Sequence, residues 1–368
     1  MLKKIGLIIL SSFLLLGLPL VQPAPAAEKG AASKKVSILI PGNEKDNGFM
    51  AAAFRGYARI KAELPVEVDY LSNVSATSDE QVLTEAMRTM AQTKPDLIIG
   101  HGGQCNKPAQ AVAAEFPDIS FVVIQGNVKG SNLSSYMVNQ EQSAWLAGAL
   151  AGLTTKSNVV AHLSGAWPKP GINARAAFYH GLMYTNPDAK FLTWFTGNLD
   201  DQAINKKAAE GQIAAGADVI YTMLNGGRLG AIEAMKESRG KARGIGNVID
   251  WVKVDPEVFI GSAVADSSVA IFNTVDDFVH GRWRADQISV IGLEQPEAVD
   301  LTLADSLPPE VKDRIVGLRV GIADGSVKIE TVYNGPEFYA ATGDLVNQEF
   351  KEALKADPMA DPKNFKAD

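Results

Sequence analysis

Short runs of β-branched and other apolar residues recur along this chain. Each ends at a polar, glycine-bearing loop, and a segment with helical apolar spacing follows. Val36–Pro41 reads as a buried strand, and Phe49–Glu63 as the helix after it, with Ala51, Ala52, Phe54, Tyr57, Ala58 and Ile60 on or near its inner face. Val66–Leu71 is a second strand. Ser78–Thr93 is an amphipathic helix with Ser78 as its cap and Glu80 and Glu85 near its positive end. Asp96–Gly100 is a third strand, Pro108–Glu115 its helix and Ser120–Ile124 a fourth strand. The same grammar restarts at about Asn158.

An alanine-rich helix, Glu141–Leu153, opens this second half. Asn158–Leu163, Phe191–Phe195, Asp218–Leu224, Gly244–Val248 and Phe259–Val264 read as strands. Ile172–Tyr184, Gln202–Ala214 and Gly230–Glu237 read as the helices between them. Ser267–His280 is a helix returning to the first half, Val327–Val332 a late edge strand and Asn347–Leu354 a surface helix. Strands alternating with helices predict parallel sheets covered on both faces, an α/β fold in two similar lobes. Ligands of such sheets sit beyond the carboxyl ends of the strands. The loops to read are therefore 42–48, 101–107, 126–130, 165–171, 197–201, 225–227 and 249–251.

A different pattern precedes both halves. Lys3 and Lys4 give a positive start, about 17 apolar residues run from Ile5 to Val21, and Ala24-Pro25-Ala26 fits a small-x-small cleavage site. Residues 1–27 are expected to be a removable export signal. The run is at the short limit for spanning a bilayer, and no cysteine stands at the cleavage point for a lipid, so the mature protein is expected free in the periplasm. Losing Lys3 and Lys4 takes the formal charge from −7 to −9, and no basic cluster marks a nucleic-acid track. Cys105 is the only cysteine, so stability rests on burial rather than on an intrachain disulfide.

Several residues in the selected loops carry binding chemistry. Asp46, Asp200, Asp250 and Asp266 stand at or near strand ends, where a carboxylate accepts from a ring N–H, an amine or a hydroxyl; equally, each is a good helix cap, and Asp200 fits best as the cap of the helix from Gln202. Asn47 and Asn225 offer both donor and acceptor, and Asn225-Gly226-Gly227 permits close backbone approach. Trp167, between Gly165 and Pro168, either closes over a ligand or covers its lobe; Trp251, after Asp250, has the same two readings. The histidines His101, His162, His180 and His280 lack metal-ligand spacing. No Walker pattern, Gly-x-Ser-x-Gly elbow or His-Glu-x-x-His helix is present, and neither a cofactor, a metal nor catalysis is expected.

The loop and strand motifs resemble those of the BMP family, the purine-nucleoside receptor relatives that serve ABC importers. Asp46-Asn47-Gly48-Phe49 resembles the family's Asp-x-Ser-Phe-Asn entry motif, and Phe116-Pro117-Asp118-Ile119-Ser120-Phe121 its Phe-Pro-Asp-x-x-Phe step. Ala144-Trp145-Leu146-Ala147-Gly148 is similar to its Gly-Tyr-Leu-Ala-Gly helix. Gly216-Ala217-Asp218-Val219-Ile220, Gly244-Ile245-Gly246 with Asp250, and Ser262-Ala263-Val264-Ala265-Asp266 follow in the family's order. The match runs from about Val36 to Trp283.

The resemblance implies a type I periplasmic binding protein with two Rossmann-like lobes joined by a hinge. Lobe one is expected at 36–139 plus 265–286, lobe two at 140–264 plus about 287–333, and a C-terminal extension at 334–368. It implies a monomer that binds a purine nucleoside, nucleobase or similar flat heterocycle between the lobes and passes it to an inner-membrane ABC permease. Phe49 is implied to stack on that ligand, with Asp46, Asn47, Trp167, Asn225, Asp250, Trp251 and Asp266 around it. Met50, Ala265 and Gly103-Gln104-Cys105 depart from the family pattern. Since the family's asparagine and lysine at the first two positions help to hold a nucleoside, a bare nucleobase joins the candidates. Two rival functions share this architecture: a ligand sensor for a membrane receptor, and a periplasmic nucleoside hydrolase with Asp46 or Asp250 as base or metal ligand.

Overall fold

The computed structural model describes residues 33–74, 79–165 and 169–336. They build two six-stranded sheets flanked by helices. The expected leader, Ser78, Trp167 and the helix at Asn347–Leu354 lie outside the described residues.

The first sheet is wholly parallel. Its strands are β1 (Lys34–Ile40), β2 (Val66–Ser72), β3 (Leu97–His101), β4 (Ser120–Ile124), β5 (Leu133–Val138) and β11 (Ile288–Ile291), in the order β11-β5-β4-β3-β1-β2. Central β3 is buried at every position, whereas edge strand β2 alternates between exposed and half-buried residues, as a strand with one wet face should. Around the sheet run α1 (Phe49–Glu63), α2 (Glu80–Gln92) and α3 (Asn106–Glu115). Asp79 caps α2, accepting from the backbone N–H of Gln81 and Val82, the role expected of Ser78.

The second sheet contains β6 (Val159–Ser164), β7 (Lys190–Phe195), β8 (Val219–Met223), β9 (Arg243–Val248), β10 (Phe259–Ala265) and β12 (Val299–Leu303), in the order β12-β10-β9-β8-β6-β7. All neighbours are parallel except β12, which runs antiparallel to β10. Its helices are α4 (Gln140–Thr154), α5 (Lys169–Thr185), α6 (Gln202–Ala214), α7 (Arg228–Glu237) and the short α8 (Trp251–Val254). Helix α9 (Ser267–Val279) returns to pack on α1 of the first sheet, and α10 (Pro309–Ala323) packs on α4. The chain thus passes between the sheets at β5–α4, β10–α9 and β11–β12.

Two expectations fail locally. Val327–Val332 forms no strand, because β12 already occupies that edge; Val327 instead donates back to the Gly321 carbonyl at 2.8 Å, turning the chain off α10. Asp201, not Asp200, caps α6, accepting from the Ile204 N–H at 2.9 Å. Strands β5, β11 and β12 and helix α10 carry no periodic signal strong enough to have announced them.

Equivalent aspartates close both halves at the opposite end from the ligand loops. Asp96, just before β3, accepts from the Lys35 N–H at 2.8 Å and pairs with Lys34 Nζ. Asp218, just before β8, accepts from Lys156 and Ser157 N–H and from the Thr155 hydroxyl. The aspartate of the Gly-Ala-Asp-Val-Ile motif is therefore a structural clamp.

Helix α4 is buried without interruption from Ser143 to Ala151, as expected of a helix apolar all round. It touches α5 through glycines: a Cβ on Gly181 would lie 2.0 Å from the Trp145 carbonyl oxygen, and one on Gly148 1.9 Å from that of Phe178. Both obstacles are backbone, so neither can rotate away. Gly181→Ala is expected to lower stability by about 1–3 kcal/mol, the usual range for overpacking; a denaturant midpoint unchanged from the parent would refute the contact.

Candidate functional site

At the carboxyl end of β1 the chain turns into α1 over the side chain of Asp46. This carboxylate is buried and accepts three backbone N–H groups, from Gly48 at 2.8 Å, Ala51 at 2.9 Å and Met50 at 3.0 Å. It holds the unpaired amides at the helix start. Burial raises its pKa; the three backbone bonds oppose that shift, and Asp200 adds to it. Exposed Asn47 adopts φ 55°, a left-handed conformation that asparagine tolerates.

Gly48 brings the second sheet close. A Cβ there would sit 2.1 Å from Asn225 Oδ1 and 3.1 Å from Asn225 Cα. Asn225, in the loop from β8 to α7, accepts from the Phe49 N–H at 3.4 Å. The two lobes therefore touch across this point, with their ligand-side loops face to face. Phe49, the first residue of α1, is half-buried, and its ring stacks on His101 with centroids 4.0 Å apart. The Phe49 carbonyl accepts from His101 Nε2 at 2.9 Å, so that nitrogen carries the ring proton and Nδ1 is a bare acceptor. Nδ1 is buried and makes no hydrogen bond. Burial pulls the pKa of His101 down to about 4, which keeps the ring neutral.

Three residues after Asn225, Arg228 starts α7 and is fully buried, its backbone N–H donating to the Asn225 carbonyl at 3.1 Å. Its Nε donates to Thr222 Oγ1 at 3.3 Å and its Nη2 to the Thr222 carbonyl at 3.3 Å; Nη2 also bonds Asn247 Oδ1. The guanidinium lies 4.4 Å from the centroid of Trp251, a cation–π contact. Burial lowers its pKa to about 9, against the pull of Tyr221 and Asp46.

The remaining expected residues have internal partners. Trp251 is buried and donates through its indole N–H to the Asn247 carbonyl at 3.1 Å, so it forms a wall behind Arg228. Asp250 caps α8 through Val252 N–H and accepts from the Thr302 hydroxyl at 2.8 Å. Asp266 caps α9 and pairs with Arg55 at 3.0 Å. Asp46, Phe49 and Asn225 come together, and Trp251 joins them through Arg228. Sequence reasoning missed Arg228 and Asn247, and for His101 it favoured a structural role over lining the cleft; the signal available for Arg228 was its position directly after the Gly226-Gly227 pair. Cys105 is buried before α3, and burial pushes its thiol up to about 12. A separate cavity of about 490 Å³ opens beside the β5–α4 crossover, lined by Asn139, Glu141, Gln142 and Asn173 among others; none of the expected residues borders it. Among the described residues no group of three or more His, Cys, Asp or Glu is placed to hold a metal.

Two facing α/β lobes with their strand ends and polar loops in contact are also the architecture of substrate-binding proteins of ABC transporters. An ABC transporter solute-binding protein of Aeropyrum pernix K1 has the same fold, with a TM-score of 0.70 at 21% identity over 89% of this chain and 99% of that one. The family model described as "ABC transporter substrate-binding protein PnrA-like" matches residues 33–331, and the chain belongs to that family. Proteins of this class bind a small molecule and work with a membrane permease. Transcriptional activator protein med of Bacillus subtilis is 25% identical over 248 residues, 67% of this chain and 76% of its own. An uncharacterized lipoprotein of Pyrococcus abyssi is 25% identical over 280 residues, 72% of this chain and 68% of its own. That last name corrects the expectation of a protein free in the periplasm: relatives from three Pyrococcus species are named as lipoproteins.

His101 ties this site to pH. The unfolded ring takes up a proton below about pH 6.5, whereas the folded ring refuses it until about 4. Stability is therefore lost as pH falls through that window, by up to about 1.4 kcal/mol per pH unit from this residue. Buried His162, whose pKa burial also depresses, adds in the same direction. His101→Gln is expected to flatten the fall in stability between pH 6.5 and 4, followed by urea unfolding at each pH; an unaltered slope would remove His101 from the linkage.

Proposed function

We propose that this protein captures a purine nucleoside, nucleobase or similar flat heterocycle between its lobes and delivers it to an inner-membrane ABC permease. The observation that carries the reading is the Phe49 ring, backed on one face by His101 at 4.0 Å and half-buried where the lobes meet. A ring held in that way stacks on a planar ligand without having to be ordered first, which lowers the entropic cost of binding. Asn225 and Asn47 supply donors and acceptors for a heterocycle edge, and Asp46 keeps one carboxylate lone pair beyond the three bonded amides. Asp250, Trp251 and Asp266 hold the surrounding loops in place, and Trp167 is proposed as a further ligand contact. The protein works as a monomer, and binding stays reversible, with a Kd in the micromolar range or tighter, roughly −8 kcal/mol or beyond.

Isothermal titration with purine bases and nucleosides tests this directly. Saturable heat with at least one of them is expected, and a silent panel would overturn the ligand class. Phe49→Ala is expected to weaken binding about tenfold, from lost stacking and lost apolar area; full affinity in that variant would remove the stacking role. A sensing role would use the same cleft, and the med relative, named as a transcriptional activator, favours keeping it as the second reading. Uptake of labelled ligand lost on deleting the protein separates transport from sensing.

A further inference from the structure

We infer that Arg228 selects ligands by a ring-carbonyl oxygen, so that oxo-substituted heterocycles such as hypoxanthine or inosine are preferred over their amino-substituted counterparts. This rests on the heterocycle reading above and narrows it. The guanidinium is fully buried, and Nε and Nη2 are bonded to Thr222 and Asn247. Nη1 is buried and makes no hydrogen bond. Two N–H donors of a cation are therefore withheld from water with nothing to accept them, a costly arrangement unless an acceptor arrives.

Among the described residues none accepts a hydrogen bond from Nη1. Asp46 is a charged group that acts on Arg228 from the facing lobe, but its carboxylate is engaged by the Gly48, Met50 and Ala51 amides and makes no hydrogen bond to the guanidinium. Thr222 and Asn247 are spent on the other two nitrogens. Trp251 covers one face of the guanidinium at 4.4 Å, which fixes its plane and leaves it little freedom to turn Nη1 elsewhere.

A ring carbonyl conjugated to a ring nitrogen is a strong acceptor and answers Nη1. An exocyclic amine at the same place is a donor and would set N–H against N–H, leaving both unsatisfied. Sites that hydrogen-bond one partner discriminate strongly against the analogue that lacks it.

The test is a matched-pair titration, hypoxanthine against adenine and inosine against adenosine, into the full chain and into Arg228→Met and Arg228→Lys. The unaltered protein is expected to bind the oxo member of each pair at least about tenfold tighter. Arg228→Met is expected to collapse that ratio to within about twofold, and Arg228→Lys to keep part of it. Equal or tighter binding of the amino member by the unaltered protein overturns the inference and leaves the heterocycle reading standing. A ratio that survives in Arg228→Met, with the variant's circular dichroism unchanged, also overturns it. Failure of every member to bind the unaltered protein removes the heterocycle reading and this inference together. The first comparison needs no variant, so a misfolded substitution cannot hide the answer.

Discussion

The absence of a side chain at position 48 lets the two halves of this protein meet. With hydrogen in place of Cβ, the start of α1 lies against Asn225 of the other lobe; a methyl group there would be 2.1 Å from its amide oxygen. On one side of that contact Asp46 binds three amides and fixes the direction in which α1 leaves the sheet. On the other, Asn225 leads through two glycines into Arg228. Phe49, His101, Asn225 and Arg228 are neighbours because backbone passes close to backbone at this point.

The site is rigid on both sides, for different reasons. His101 is locked by a hydrogen bond to the carbonyl of the residue whose ring it stacks on. Arg228 is locked by bonds to β8 and β9 and by the Trp251 face. What stays unsatisfied is small and specific: one acceptor on His101 and one donor nitrogen on Arg228. Buried polar atoms without partners are rare in folded proteins. The aspartates that look most like ligand groups in the sequence are largely consumed as caps: Asp46 at α1, Asp250 at α8 and Asp266 at α9. A helix start and a ligand loop share the same place in a doubly wound fold, so one residue type serves both and the sequence does not separate the roles.

Much of the architecture was legible because central strands such as β3 are buried on both faces and read as unbroken apolar runs, while α1 and α2 show clear apolar stripes. The elements that escaped notice lack such signals. β5 contains Ser134 and Ser135, both buried, with Ser135 bonded to Val128 and Ser134 accepting from Trp283. β11 has exposed Ile288 and Val290 on an edge, and β12 joins its sheet antiparallel after a crossover. Their pairing is decided by partners far along the chain, which local pattern does not see.

The sequence by itself determined the alternation of strand and helix, the doubling of that pattern, the loops at the strand ends and the family, because burial periodicity and motif order are local properties. Only the tertiary structure decided that Asp250 and Asp266 are caps with internal partners, that Trp251 is a wall, and that Arg228 carries a buried nitrogen without a hydrogen bond. Those facts depend on which groups from distant segments satisfy one another once water has been excluded, and hydrogen-bond satisfaction is a property of the folded neighbourhood rather than of any residue in it.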